Sequence, residues 1–238
     1  MIAYMLVVHG SRNSAYRQQL DQLQQLIIEK LHSQGFTAPI VTAYLELGDQ
    51  PLSKKIVNFA QKYAKKGYTT LKILPLFLLS GTHVLKDIPE EVEISRPFSP
   101  LKIELMIHLG QSENLITLLD NKYQQQPTNH RILLSHGTKI AQGNQESQQI
   151  AKKLKAESAY WSISPNLATI VNQLPNSCSN SIGILPYFLF TGRIIDTIYD
   201  EIKLLQKTTD TKLNFIFPLG ATPELTEVIV QLIKTSNV

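Results

Sequence analysis

The sequence predicts an α/β protein made of two similar halves, each with a parallel sheet covered by helices. Apolar runs of strand length alternate with helix-like segments along the chain, which is typical of parallel sheets. The order also repeats, since residues 131–137 resemble 4–10 and residues 182–192 resemble 71–81. We therefore expect an internal duplication: halves of flavodoxin or Rossmann type, at residues 1–124 and 130–238, that face each other across a cleft.

The first half contains four predicted strands, and all their exits are expected at one edge of the sheet. The first helix has leucine and isoleucine recurring every three or four residues, and Gly35 follows its end. Right-handed crossovers place successive strand-to-helix turns on the same edge. The predicted strands cover residues 4–8, 39–47, 71–79 and 102–109; helices cover 13–32, 52–65 and 113–123, with a short helix or irregular stretch over 84–92.

The second half restarts this order after a glutamine-rich linker at residues 124–129. Its predicted strands cover residues 131–135, 158–164, 182–192 and 213–220, with a helix over 145–155 and a helix after each later strand. Proline occurs within both third strands, as Pro75 and Pro186. Because proline cannot donate to a strand ladder, we expect an irregular exit at these two places.

The composition limits the classes of partner. The chain has 238 residues, 43% hydrophobic and 18% charged, and its net charge is +4, which is typical of a soluble globular protein. No apolar run has the length of a membrane span, so we expect a cytoplasmic protein that contacts no membrane. The basic residues are scattered, which disfavours nucleic acid as a partner and suits a mildly basic surface or an acidic small molecule. A single cysteine, Cys178, excludes an internal disulfide and a Cys-built metal cage.

Polar side chains stand at the strand exits of the first half. His9 follows the first strand, Glu46 ends the second and His83 follows the third. Neutral imidazoles suit iron, cobalt, nickel and zinc, and a nearby carboxylate can complete such a site or accept protons. The sequence therefore predicts that His9 and His83 handle a divalent metal with Glu46 beside them. His108, near the end of the fourth strand, has no assigned role, because a lone histidine there is more often structural.

The second half acts as an internal comparison. It retains a histidine, His136, at the place of His9, but Ser162 and Ile194 stand where the first half has Glu46 and His83. We therefore expect the active centre in the first half. His136 is either a residue that lines the cleft or one that stabilises its turn.

Three motifs resemble the sirohydrochlorin chelatases, small class II chelatases that insert iron or cobalt into sirohydrochlorin. They are HGSR at residues 9–12, AYLE at 43–46 and LPLFLLSGTHVLKDIP at 74–89. The resemblance covers nearly the whole chain as a two-half form, and it implies a chelatase-like fold with His9 and His83 as the metal-handling pair and Glu46 close to them. His108 departs from the family, which more often has proline there. The cysteine cluster of some members is absent, so no iron–sulfur cluster is expected.

The resemblance implies that a divalent metal, Fe²⁺ in preference to Co²⁺, enters the tetrapyrrole while two pyrrole protons leave. The metal is then a substrate, and no permanently bound cofactor is expected. Because sirohydrochlorin carries several carboxylates, we expect cationic and polar residues at the strand exits to bind it. The expected substrate contacts are Ser11, Arg12, Ser80, Gly81, Thr82, His136 and Arg193. We further expect a monomer.

Three other functions compete with this interpretation. The first is a non-catalytic metal or tetrapyrrole carrier of the same fold. A carrier would not need a proton acceptor such as Glu46, so the presence of Glu46 favours an enzyme. The second is a phosphoryl-transfer histidine enzyme, which typically has arginine directly before the His-Gly pair, whereas Val8 stands there. The third is a dinucleotide site, which needs spaced glycines that the turn after the first strand lacks.

Overall fold

The strands form two four-stranded parallel sheets. A computed structural model describes residues 1–138, 141–175 and 180–236; Cys178 lies outside them. The strands are β1 (Ile2–Val8), β2 (Ile40–Tyr44), β3 (Thr70–Pro75), β4 (Lys102–Leu105), β5 (His130–Ser135), β6 (Glu157–Tyr160), β7 (Ser181–Pro186) and β8 (Lys212–Phe215). Their orders are β2-β1-β3-β4 and β6-β5-β7-β8, and every pair is parallel.

Helices alternate with these strands, as the sequence predicts. They are α1 (Ser14–Ser33), α2 (Leu52–Ala64), α3 (Ile88–Ser95), α4 (Glu113–Gln124), α5 (Ala141–Lys153), α6 (Leu167–Gln173), α7 (Arg193–Leu205) and α8 (Pro223–Thr235). The stretch expected to be a short helix or irregular contains a π-helical turn, His83–Asp87, followed directly by α3. Among the described residues, no helix is both long and apolar enough to span a bilayer.

The central strand β1 shows why the sheet is covered on both faces. Each of its residues from Ala3 to Val8 is buried, so successive side chains, which point to opposite faces, both need a covering layer. On one face, β1 packs with residues of α2 and α3 such as Ile56 and Val92. The equivalent layer in the second sheet is supplied by α6 and α7.

The third strand ends earlier than its apolar run. The run continues to residue 79, but β3 ends at Pro75, which pairs with Val7. The Leu76 N–H still donates to the Val7 carbonyl at 2.7 Å, and the chain then leaves the sheet because β1 itself ends at Val8. The matching strand β7 ends at Pro186 in the same way. Apolar composition alone overstates the length of both strands.

The chain divides into two compact units, which differ from the two sequence halves in the placement of α4 and α8. One unit comprises Met1–Ser112 and the C-terminal segment that contains α8; the other comprises Glu113–Gly220 and therefore contains α4. In the first unit, the Lys30 ammonium lies 3.0 Å from the Glu227 carboxylate and so connects α1 to α8. In the second, the buried Tyr123 hydroxyl on α4 donates to the Ile132 carbonyl of β5 at 2.7 Å. The predicted halves at 1–124 and 130–238 follow the repeat in the sequence rather than this packing.

Candidate metal centre

Three neighbouring strands of the first unit bring three possible metal ligands to one edge. His9 directly follows β1, Glu46 comes two residues after β2, and His83 begins the π-helical turn that follows the β3 exit loop. Since β2 and β3 flank β1 on its two sides, the carboxyl ends of all three strands meet there. In open α/β sheets, this edge is where ligands bind.

The side chains of His9, Glu46 and His83 converge. One ligand atom from each lies within 4.8 Å of the other two. His9 Nε2 is 3.8 Å from Glu46 Oε2, and the two imidazole centroids are 4.7 Å apart with the rings inclined at 71°. The side chains of His9 and Glu46 are about half exposed and that of His83 is one-third exposed. The donor set is two imidazoles and one carboxylate at an accessible rim, which suits a divalent transition metal.

Hydrogen bonds determine which imidazole nitrogen is available in each histidine. His9 Nδ1 lies 3.2 Å from the Gly10 carbonyl oxygen, and His83 Nδ1 lies 2.7 Å from Asp87 Oδ2. Both partners are acceptors only, so each Nδ1 carries hydrogen. In the neutral imidazoles, Nε2 therefore keeps its lone pair and is the nitrogen that can bind a metal.

Gly10 allows the end of β2 to approach His9 closely. Its φ is +109°, a region that side chains rarely tolerate, and a Cβ there would overlap the Glu46 carbonyl oxygen and lie 3.0 Å from the carbonyl carbon. The Glu46 N–H donates to the His9 carbonyl at 2.9 Å. Only glycine fits this approach, because it has no Cβ. The backbone contact between residues 9–10 and Glu46 thus fixes two of the three ligands relative to one another.

His108 stabilises the loop that leads to His83. It is buried, with Nδ1 3.0 Å from the Phe77 carbonyl oxygen and Nε2 2.9 Å from the Ser80 hydroxyl. In the neutral ring, Nδ1 donates to the carbonyl and Nε2 accepts from the hydroxyl. The Gly110 N–H also donates to the Phe77 carbonyl, at 2.9 Å. His108 lies outside the group of three ligands and holds the β3 exit loop to the end of β4.

The other predicted substrate contacts of the first unit lie on the loops beside the three ligands. Arg12 and Thr82 are exposed, and a Cβ at Gly81 would meet no atom within 4 Å. Ser11 and Ser80 have structural partners: the Ser11 hydroxyl accepts from the Asn13 N–H at 3.1 Å, and the Ser80 hydroxyl bonds to the histidine described above. A substrate role for these five residues stays a prediction.

The second unit repeats the first turn but not the ligand set. His136 Nδ1 lies 2.9 Å from the Gly137 carbonyl oxygen, as His9 does beside Gly10, and its ring lies 5.4 Å from that of Trp161. Ser162, at the place of Glu46, donates its hydroxyl hydrogen to the His136 carbonyl at 2.8 Å. Arg193, the other predicted contact, is the exposed first residue of α7. The histidine turn is therefore reproduced without the carboxylate and the second imidazole.

Sequence reasoning missed Asp87, the carboxylate bonded to His83. The two residues are four apart, a spacing that brings side chains together on a helix. The spacing is a usable signal, because the sequence predicts a short helix or an irregular stretch over residues 84–92. Its weakness was that the sequence left the form of this stretch open.

Comparison with known proteins identifies the family. The sequence model of the CbiX family matches the chain twice, over residues 3–126 and 130–236. This chain belongs to the CbiX family. The finding confirms the resemblance seen in the three motifs, and its two matches follow the two halves of the internal repeat.

Curated relatives of this CbiX-family chain include ferrochelatases and cobaltochelatases. It is 25% identical to the sirohydrochlorin ferrochelatase of Priestia megaterium, over 99% of this chain and 90% of the relative. It is 24% identical to the sirohydrochlorin cobaltochelatase of Sulfolobus acidocaldarius, over 51% of this chain and 89% of the relative. Its fold is similar to that of SirB from Bacillus subtilis, solved with Fe³⁺: the TM-score is 0.81 at 20% identity, covering 99% of this chain and 95% of SirB. The predicted fold of two helix-covered parallel sheets is confirmed.

Proposed function

We propose that this chain is a sirohydrochlorin chelatase, which inserts a divalent metal into the tetrapyrrole and releases two protons. The observation that carries the proposal is the convergence of His9, Glu46 and His83, whose ligand atoms lie within 4.8 Å of one another. The match to a sirohydrochlorin ferrochelatase over 99% of the chain supports the substrate class.

The two imidazoles are the groups that receive the metal. Neutral imidazole nitrogens bind Fe²⁺ and Co²⁺ well, and hydrogen bonds at Nδ1 leave Nε2 of both His9 and His83 available. Three protein donors leave coordination positions open, unlike the closed four-ligand cage of a structural site. The metal is a substrate that has to leave again, so an incomplete and accessible ligand set suits the reaction.

The carboxylate is the group that takes protons. Each pyrrole N–H that becomes a metal ligand must give up its hydrogen, so a base is needed beside the metal as it enters. Glu46 lies 3.8 Å from His9 Nε2 and is half exposed, so it can accept a proton and pass it to water. Either imidazole can share this task once the metal has left it.

Iron is the proposed metal, with cobalt as the second choice. The donor atoms do not separate these two ions, since imidazole suits both. The ferrochelatase of Priestia megaterium matches 99% of this chain, whereas the Sulfolobus acidocaldarius cobaltochelatase matches 51%. The relative that matches both halves of this chain is therefore a ferrochelatase, which favours iron.

Cationic and polar groups beside the ligands are proposed to bind the carboxylates of the tetrapyrrole. In the first unit these are Arg12, the exposed last residue of the HGSR motif, and the exposed loop at residues 81–82. Arginine forms paired hydrogen bonds with carboxylates. His136 and Arg193 of the second unit are proposed as further contacts on sequence grounds alone.

The test is an anaerobic absorbance assay of sirohydrochlorin with Fe²⁺, Co²⁺ or Ni²⁺, which follows the spectral change as the metal enters the ring. We expect His9→Ala and His83→Ala to lower kcat/KM by at least about 10²-fold, because each removes a metal ligand. His136→Ala is the comparison variant: it removes the same side chain from the equivalent turn, where the carboxylate and the second imidazole are missing, so its loss should be far smaller than that of His9→Ala. A native rate of insertion in His83→Ala would refute a chelatase that works through this site. If the native chain binds the metal or sirohydrochlorin stoichiometrically but does not turn over, the protein is a carrier instead.

A further inference from the structure

The two histidines of the ligand group are held by different kinds of acceptor. His83 Nδ1 is 2.7 Å from an Asp87 carboxylate oxygen, whereas His9 Nδ1 is 3.2 Å from a backbone carbonyl. Hydrogen bonds to ionised acceptors are shorter and about twice as strong as those to neutral ones. His83 is therefore the more firmly oriented of the two imidazoles.

A local departure from regular helix accompanies this contact. The π-helical turn His83–Asp87 closes with the Ile88 N–H donating to the His83 carbonyl, and the Gly81 carbonyl accepts from the N–H groups of Val84 and Leu85, each at 3.0 Å. Single π-turns are rare and occur frequently at functional sites. Here the turn brings together the side chains of His83 and Asp87, which are four residues apart in the sequence and about one-third exposed.

The second unit shows what the same stretch becomes without the ligand group. Aligned on the proline and glycine that both halves share, Ile194 and Ile198 take the places of His83 and Asp87. There the chain forms regular helix from Arg193 onward, and Ile198 is fully buried in the core. The imidazole, its carboxylate and the π-turn are thus all present at residues 83–87 and all absent from the matching residues 194–198.

We propose that Asp87 is a positioning residue for metal handling: it holds His83 in the Nδ1–H tautomer and aims its Nε2 at the incoming metal. A carboxylate that accepts from the far nitrogen of a metal-binding histidine fixes the ring and strengthens it as a donor. Of the two imidazoles that receive the metal, His83 is then the one held in a fixed orientation, and His9 has the weaker partner. This inference rests on the proposed function, because it concerns the same ligands.

The experiment compares Asp87→Ala and Asp87→Asn with Glu90→Gln. Glu90→Gln is the matched control, because it removes one carboxylate from the adjoining turn. The Glu90 side chain is well exposed and lies 4.0 Å from the Lys86 ammonium. Two readouts need no tetrapyrrole. One is the ¹⁵N NMR tautomer of the His83 ring in the metal-free protein, assigned with His83→Gln; the other is calorimetric titration with Co²⁺ alone.

We expect Asp87→Ala to weaken Co²⁺ binding about 10- to 100-fold and to shift His83 from the Nδ1–H form to the mixture of a free imidazole. Asp87→Asn keeps the shape but offers an amide that presents either oxygen or nitrogen, so the tautomer should become mixed and binding should fall by a smaller factor. Glu90→Gln should change neither quantity. An Asp87→Ala protein with native tautomer and native Co²⁺ affinity overturns the proposal; if that variant fails to fold, the same result in Asp87→Asn overturns it.

These readouts also separate this inference from the proposed function. If the native chain inserts no metal into sirohydrochlorin but Asp87→Ala still loses Co²⁺ affinity and the tautomer, the function is wrong and the positioning role stands. If insertion occurs and both Asp87 variants match the native chain in tautomer and Co²⁺ affinity, the function stands and the positioning role is wrong.

Discussion

Replacing Gly10 by alanine should separate the ligands of the first unit. The new Cβ would overlap the Glu46 carbonyl oxygen and lie 3.0 Å from the carbonyl carbon, and the φ of +109° would itself be strained. Relieving the overlap requires the backbone at Glu46 to move by roughly 1 Å, a displacement that can cost about 10²-fold in rate. Left-handed strain of about 1–2 kcal/mol and overpacking of about 1–3 kcal/mol together predict a loss of about 2–5 kcal/mol in the free energy of unfolding.

Gly35→Ala is the matched control for the Gly10 variant. Gly35 also has a positive φ, +75°, but a Cβ there would meet nothing within 4 Å, and it follows α1 away from the ligands. It should lose only the backbone part, about 1–2 kcal/mol, and keep native Co²⁺ affinity. Urea unfolding and Co²⁺ titration of both variants measure the two effects. Native Co²⁺ affinity in Gly10→Ala, or equal Co²⁺ losses in the two variants, would show that this close approach does not set the ligand geometry.

Two further predictions concern stability. His108→Ala removes the hydrogen bonds to Phe77 and Ser80 and leaves a buried gap, so the free energy of unfolding in urea should fall by about 2–4 kcal/mol. A change below about 0.5 kcal/mol would contradict the role of His108 in holding the loop. Hydrogen bonds from Gln231 and then Lys30 lower the pKa of Glu227 below its ordinary value of 4.5. The stability it contributes is therefore present above pH 4.5 and is lost as the pH falls through the lowered pKa. Because the side chains of Lys30 and Glu227 are 44% and 42% exposed, we expect this contribution to be less than about 1 kcal/mol. Glu227→Gln should therefore lose less stability than the native protein when the pH is lowered. Identical profiles of stability against pH for the two proteins would contradict this contribution of Glu227.

The ligand group was predictable because it depends on strand order and strand ends. His9, Glu46 and His83 each follow an apolar run, and parallel strands joined by right-handed crossovers open at one edge. The repeat added a second signal, since the second half keeps its strands and its histidine turn but lacks two of the three side chains. The proximity of these residues follows from topology, which apolar periodicity can reveal.

The partners of the histidines were less predictable, because they depend on local geometry. The bond between His83 and Asp87 lies within a π-helical turn, and apolar periodicity does not distinguish such a turn from an α-helix or an irregular loop. The bonds from His108 to Phe77 and Ser80 depend on how the β3 exit loop folds back on the end of β4. A lone histidine in the sequence carries no sign of such contacts.

The grouping of the last helices was also beyond the sequence pattern. An amphipathic helix reveals that one face is buried but not which sheet covers it. α8 buries Leu225, Val228 and Ile229 among other residues, and the same pattern would suit either sheet. The structure assigns α8 to the first unit and α4 to the second.

The regrouping of α8 has a consequence for the order in which the protein matures during synthesis. The ribosome makes the strands that carry His9, Glu46 and His83 first, but it makes α8, the helix that completes their unit, only after the whole of the second unit. Until then, the growing polypeptide exposes the apolar surface that α8 will cover, so the final folding of the first unit has to wait until the second unit has been translated. A gene cut at the repeat boundary would therefore encode an amino-terminal product that lacks part of its own core.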